Sequence, residues 1–471
     1  MAPVEKSESR SSMRNEHVRR RPGRSLRPVT LRAAALAAAA MTAAVLGGCS
    51  SSAGGTATSS STAGATVAAP GNATSGAITW WASPITTSGA DPRTVLLSAF
   101  QKAYPNIKVS LISAPTDTDT NRATLTTQIS GGAGPDVYMG DVIWPAQFAA
   151  HQLADPLSKY LPSSYFDTFA PGLVAGATYK GQVYGAPFFE DQGFLYYRKD
   201  LLAENHLKVP TTWEQVMTDS KAIQAKGQAQ YGYVFQGASY EGATCNYMEF
   251  LTDAGGTVLN KDSTSSTINS AAALKALTFE QQLVTSGVSP KAESTYQELQ
   301  AMNEFSAGKS VFLRNWDYGY STSQAAGSAV IGKVGVAPMP TFTGEPTPGY
   351  SNIGGWNLYV NPHSKNVAAD LTFIKWMTGS DAQNILATQF SEIPTNQAVR
   401  ESPAVIKSNA VLAVVPQTKL VPRPAQTPFY PAVSTAIYTN VSAVLAGSKT
   451  PAAALKDADS AINTALSGGG L

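Results

Sequence analysis

The sequence predicts an α/β fold, on three observations. A strand, a helix and a second strand follow one another between residues 78 and 111. Strand-like and helix-like patterns then alternate along the chain, as α/β layering requires. And 471 residues, 43% hydrophobic and 14% charged, suffice for one large or two ordinary domains with true cores. Taken in order, Ile78-Thr79-Trp80-Trp81 is a short β-run. Asp91-Pro92 supplies an N-cap and a first-turn proline. Val95, Ala99, Phe100 and Ala103 keep helical spacing until Pro105 stops the helix. Ile107, Val109 and Leu111 alternate with polar residues as in a strand, completing a βαβ unit. Asp136–Met139 and Val334–Ala337 are further strands, and Val367, Leu371 and Ile374 line one face of a helix closing at Gly379. No internal repeat is visible.

The net charge of +2 hides an asymmetry. Residues 1–32 carry nine Lys/Arg and three Asp/Glu, and residues 33–48 carry none. Removing that +6 leaves residues 49–471 at −4, so no basic surface for a nucleic acid is expected. Two cysteines cannot build a disulfide framework or a four-thiolate zinc site. Beyond residues 33–48 no stretch approaches the roughly 18 apolar residues of a membrane span, which excludes an integral membrane transporter.

The first 48 residues form an export leader. A basic region dense in arginine from Arg10 to Arg32 precedes the apolar run Ala33–Leu46, which has the length of a signal-peptide core. Leu46-Gly47-Gly48-Cys49 resembles a bacterial lipobox, which implies cleavage before Cys49 and diacylation of its sulfur. Arg19-Arg20-Arg21 lacks the apolar pair that a twin-arginine signal places soon after. Residues 49–76, rich in Ser, Thr, Ala and Gly, form a flexible tether. The expected location is the extracytoplasmic face of the cell membrane, held by the lipid alone.

Several motifs imitate chemistry they do not complete. Gly308-Lys309-Ser310 ends like a phosphate-binding loop, but Asn303 stands where the first glycine belongs; a helix ending before strand Val311–Leu313 is expected. Asp117-x-Asp119-x-Asn121 starts like a calcium loop, but Arg122 and Gln128 occupy its glycine and glutamate positions, so a polar loop is expected. His151, His206 and His363 lie far apart, and no HExxH or GxSxG occurs. Cys245 is expected to be a buried, inert thiol. Glu190 and Asp191, adjacent on a strand, point to opposite faces and cannot be a glycosidase pair together. No catalytic residue, metal ligand or cofactor is assigned.

What remains is a repeated pairing of aromatic and polar residues: Asp141 with Trp144, Phe188-Phe189-Glu190-Asp191 running on to Tyr196-Tyr197-Arg198, Tyr240-Glu241, Asn315-Trp316-Asp317-Tyr318 and Gly354-Gly355-Trp356. A pyranose offers apolar C–H faces and a rim of hydroxyls. Aromatic rings stack on the faces, and carboxylates with Arg or Asn bind the rim by charge-assisted hydrogen bonds. Both parts are needed, because each buried hydroxyl left unpaired costs roughly 1–3 kcal/mol.

The run Tyr184-Gly-Ala-Pro-Phe-Phe-Glu-Asp-Gln-Gly-Phe-Leu-Tyr-Tyr-Arg-Lys-Asp-Leu-Leu202, followed by Pro210–Glu214, resembles the extracellular solute-binding proteins of bacterial sugar ABC importers. So do Asn303–Ser310 and Val334–Pro340, and the likeness covers nearly all of residues 77–465. Asp141–Phe148, Tyr240–Asn246, Arg314–Tyr318 and Gly354–Trp356 bring it closest to the trehalose/maltose-binding branch. The resemblance implies a two-lobed periplasmic-binding-protein-like fold of type II with a three-segment hinge. It places lobe one at 77–187 and 340–378, and lobe two at 188–339 and 379–471. It implies that Asp141 binds sugar hydroxyls, that Trp316 and Tyr318 stack on the sugar, and that Gly355 and Trp356 add a backbone contact and a second stacking face. Asp191, Tyr240 and Glu241 would line the cleft, with Arg122 and Arg423 as further ligand contacts. The chain departs from the branch at Asp317, where proline is common, and at Gln192, where a small residue is expected. The implied function is capture of an α-linked di- or oligosaccharide by a monomeric, non-enzymatic receptor that docks on the membrane subunits of an ABC permease. The alternatives are a secreted carbohydrate-active hydrolase and a receptor for a non-glucoside solute.

Overall fold

The computed structural model describes residues 74–86 and 90–469. The leader, Cys49 and the tether up to residue 73 lie outside the described residues. The strands are β1 Gly76–Ala82, β2 Ile107–Ser113, β3 Val137–Asp141, β4 Thr178–Tyr179, β5 Gln182–Val183, β6 Ala186–Gln192, β7 Phe194–Arg198, β8 Tyr231–Val234, β9 Ser310–Asn315, β10 Val334–Ala337, β11 Tyr350–Val360, β12 Ile393–Pro394 and β13 Lys419–Val421. A seven-stranded sheet has the order β12-β6-β11-β3-β1-β2, with β13 also on β11, and a four-stranded sheet has the order β10-β7-β9-β8. The β4–β5 hairpin stands apart.

The expected βαβ unit forms: β1 and β2 pair in parallel across the helix Pro92–Ala103, whose N-terminus Asp91 caps through the Arg93 N–H. Period-two alternation then assigns neighbouring residues to opposite faces of the seven-stranded sheet. Trp80, Val137, Met139 and Leu358 pack on one face with Phe100, Phe373 and Ile374 of the helices Pro92–Ala103 and Val367–Met377. Trp81, Tyr138 and Tyr359 pack on the other, with Trp144, Phe148, Leu125 and Ile129. Helices on both faces are what a largely buried sheet needs. The four-stranded sheet has its own core, in which Leu195, Tyr233 and Phe312 meet Trp213, Phe250, Leu277 and the C-terminal helices Tyr430–Leu445 and Pro451–Thr464.

The chain leaves the first sheet for the second at Gly193, between β6 and β7. The resemblance put this crossing between 187 and 188, which falls inside β6. The switch point has a local cause: a β-carbon at Gly193 would sit 2.4 Å from Glu249 Oε1 and 2.6 Å from an Arg314 nitrogen, so only glycine lets the backbone pass this ion pair. The chain returns between Ala337 and Tyr350, and the stretch 340–349 keeps Phe342 in the core of the second sheet. After the helix Val367–Met377, Ala382 and Leu386 still belong to the first core, and β12 to the first sheet. The crossing expected after 378 therefore falls ahead of those contacts.

One local expectation changes and another holds. Residues 117–121 are not a polar loop: Asp117 caps the helix Thr118–Ser130 by accepting from the Thr120 N–H at 2.8 Å, and Asn121 is buried, accepting from Trp81 Nε1 at 2.7 Å. The helix Glu298–Ser306 does end before β9 as expected, with Gly308 at φ +77°. No helix among the described residues is long and apolar enough to cross a membrane.

Candidate functional site

A cavity of about 530 Å³ lies where the two sheets face each other. Strand register builds one wall. β11 runs antiparallel to both β3 and β6, so Trp356 is opposite Asp141 on one side and Phe189 on the other, and Gly354 is opposite Asp191. The two carboxylates thus stand at the carboxyl ends of their strands, where open α/β sheets present ligand sites. Gly355 lies between them at φ +115°, and a β-carbon there would come within 2.5 Å of the Phe189 carbonyl oxygen. The opposite wall comes from the second sheet. β8 and β9 are parallel, and their carboxyl ends lead to Tyr240-Glu241 and to Trp316-Asp317-Tyr318.

The aromatic wall is held from behind. The buried Arg314 guanidinium lies 3.9 Å from the Trp316 ring centre and is itself fixed by two hydrogen bonds to Glu249, at 2.6 and 3.0 Å. Tyr196 donates its hydroxyl to the carbonyl of Trp316 at 2.6 Å, and Trp316 Nε1 reaches Glu298 at 3.4 Å. Trp356 meets the fully buried Trp144 edge to face at 6.3 Å.

Two groups of charges join the walls. Arg423 donates to Asp141 Oδ1 at 2.7 Å and to Glu241 Oε1 at 2.9 Å, linking the end of β3 to the start of the helix Glu241–Asp253. Glu241 also accepts from Tyr430 at 2.5 Å and Ser434 at 2.6 Å. Burial pushes the Glu241 carboxyl above its ordinary range against the pull of Arg423. Burial also works against the charge of Arg423, but Asp141 and Glu241 outweigh it and hold the guanidinium charged. The second group is Asp191, Asp317 and Glu392, buried together. Burial raises Asp191 to about 7; burial and the neighbouring carboxylates raise Asp317 and Glu392. Glu190 takes no part in the cavity: as alternation requires, it turns to the other face, where Arg400 pairs with it at 2.5 Å.

Asp141, Asp191, Tyr240, Glu241, Trp316, Tyr318, Gly355, Trp356 and Arg423 all line this cavity. Arg122 does not join them. Asn121 turns inward to Trp81, so the next residue on the helix is rotated about 100° away, and Arg122 pairs with Asp119 at 3.1 Å instead. Sequence reasoning missed Ser83, Thr116, Asp117, Gln297, Glu298 and Gln300, which also line the cavity. Asp117 was visible only as a failed calcium loop. Gln297 and Gln300 carry a capping-box pattern for the helix Glu298–Ser306 and nothing that points to a ligand. Cys245 is buried against Trp316 and Tyr318 in the cavity lining, and burial pushes its thiol far up, which disfavours the thiolate.

The family model for bacterial extracellular solute-binding proteins matches residues 82–384. The chain belongs to this family. A relative from Deinococcus radiodurans, described as a probable ABC transporter-binding protein, is 35% identical to this solute-binding protein over 359 residues, 74% of this chain and 84% of the relative. Maltose-bound MalE3 of T. maritima superposes with a TM-score of 0.76 at 33% identity, covering 82% of this chain and 98% of that one. The GacH receptor of Streptomyces glaucescens, solved unliganded and with acarbose, superposes with a TM-score of 0.73 at 26% identity, covering 83% and 99%. This solute-binding protein therefore has the two-lobed α/β fold, and its family consists of binding proteins rather than enzymes.

Proposed function

We propose that this solute-binding protein captures an α-linked di- or oligosaccharide, of trehalose or maltose type, in the cavity between its sheets. It then delivers the sugar to the membrane subunits of an ABC importer, as a monomer tethered through a lipid on Cys49. The observation that carries this reading is the composition of the facing walls. Trp316, Tyr318, Tyr240 and Trp356 supply ring faces beside the carboxylates of Asp141, Asp191 and Glu241 and the guanidinium of Arg423. Rings strip poorly held water from the sugar faces, and the charged groups satisfy the hydroxyls so released. The site draws on both sheets, so a bound sugar favours the closed arrangement of the lobes, and closure is what a permease distinguishes. A micromolar affinity, about −8 kcal/mol, suits capture followed by release. The maltose held by the T. maritima relative and the acarbose held by GacH support the α-glucoside class.

The test is a titration of the purified protein with trehalose, maltose, maltotriose, sucrose, cellobiose and glucose, followed by tryptophan emission. A saturable change with one α-glucoside, lost in Trp316→Ala and Asp141→Ala, is the expected outcome. Silence towards all six sugars from folded protein overturns the α-glucoside assignment. It would favour a second reading, a non-glucoside polyol, which the 25% identity over 327 residues to a mannitol-binding protein of Pseudomonas aeruginosa supports. Slow release of glucose from a disaccharide would point to a hydrolase instead.

A further inference from the structure

We infer that Asp191, Asp317 and Glu392 together hold a hard divalent cation of the Ca²⁺ type beside the sugar cavity. Each offers a carboxylate oxygen, and these oxygens lie within 4.8 Å of one another. Ca²⁺ takes six to eight oxygens at about 2.3–2.6 Å, so donors on opposite sides of one ion stand about 5 Å apart. The three oxygens fit inside one such shell.

A separate observation points into the same place. Glu392 is fully buried, and neither of its carboxylate oxygens accepts from an N–H or hydroxyl group; the side chain it meets is another carboxyl, that of Asp191. Asp191 Oδ1 and the fully buried Asp317 Oδ1 have no such donor either. Backbone donors reach only Asp317 of the three among the described residues: the Ile393 N–H at 3.0 Å from Oδ2, and its own N–H. The guanidinium groups around the site are engaged elsewhere: Arg400 with Glu190, Arg423 with Asp141 and Glu241, and Arg314 with Glu249. Among the described residues no lysine or arginine forms an ion pair with the three acids. Buried carboxylates without donors or a counter-charge are costly, and a cation with only oxygen donors supplies both needs at once.

The three acids come from distant parts of the chain: the end of β6, the turn after β9, and the residue before β12. A cation here fastens the first sheet to the second. It also fixes Asp317 between the two rings Trp316 and Tyr318, and orients Asp191 in the cavity wall. Of these, Asp317 is a position at which the chain departs from its branch, as is Gln192 next to Asp191.

The experiment uses the full-length chain in detergent, stripped of metal with a chelator and free of sugar, so that it stands apart from the sugar assignment. CaCl2, MgCl2 and MnCl2 are titrated by calorimetry. Tb³⁺ emission, sensitised by the adjacent Trp316, reports the location. Saturable binding of about one Ca²⁺ per chain is expected, with a rise in melting temperature. In Glu392→Gln and Asp317→Asn, binding should weaken roughly 10–100-fold or more and sensitised Tb³⁺ emission should be lost. The inference is overturned if the stripped wild type binds none of the three metals. It is equally overturned if folded Glu392→Gln binds Ca²⁺ as the wild type does. Should both variants fail to fold, the wild type decides: chelation must lower its melting temperature and Ca²⁺, but not Na⁺, must restore it.

Discussion

Two groups of buried charge join the same two sheets, and they are built in opposite ways. In Asp141–Arg423–Glu241, one guanidinium answers two carboxylates, and hydroxyls of Tyr430 and Ser434 complete Glu241. In Asp191–Asp317–Glu392, three carboxyls meet, backbone N–H groups reach only Asp317, and several oxygens have no N–H or hydroxyl donor. The first group has a counter-charge and hydroxyl donors within the chain, with only Arg423 Nε left unpartnered among its guanidinium and carboxylate atoms. The second needs protons or a cation to exist in a dry interior. The difference teaches that burial alone does not define a charged site; the local inventory of donors does.

The comparison can be broken most severely at Arg423. Arg423→Ala leaves Asp141 and Glu241 buried and unpaired, and a loss of about 3–5 kcal/mol is expected in denaturant titrations. Glu280 sharpens the comparison as a lone case: fully buried, with neither carboxylate oxygen partnered, it is raised to about 8 by burial and by Glu249. Below the unfolded value near 4.5 both states hold the proton. As pH rises from there through about 8, the folded state keeps a proton that the unfolded state has released, so stability falls across that window. Glu280→Gln should flatten this fall, with a gain on the order of a few kcal/mol at the alkaline end, read as melting temperature against pH. Trp316→Ala tests whether the ring wall between the two charge groups carries the binding: sugar affinity should drop about 100-fold, or ~2.7 kcal/mol. Glu392→Gln should stabilise chelator-treated protein by about 1–3 kcal/mol, because it removes one of three crowded acids. The opposite result would mean that the group is already compensated without a cation. The smallest effect is expected at the cavity edge, where Asp117→Ala removes a helix cap worth about 1 kcal/mol.

Much of the fold was legible because its signals are local. Asp91-Pro92, the alternation at Ile107–Leu111 and the apolar stripe Val367–Leu371–Ile374 each form the element they announce. The site was legible where aromatic and acidic residues sit side by side at strand ends, as at Trp316-Asp317-Tyr318. It was not legible at Asp117, Gln297 and Glu298, whose neighbours in sequence are ordinary helix starts. Arg122 shows the converse failure: its residue type suits a sugar site, but a rotation of one residue about the helix axis carries it away from the cavity.

By itself the sequence determined the α/β class and most of the aromatic wall, and its resemblance to a family implied the paired lobes. Those follow from periodicity and short motifs, which act over a few residues. Only the tertiary structure decided that β6 hands over to β7 at Gly193, that Arg423 reaches two carboxylates from a strand and a distant helix, and that Glu392 closes a ring with Asp191 and Asp317. These depend on contacts between residues 56 to 282 positions apart. Electrostatic balance in a buried site is set by distance in space, which no linear pattern encodes.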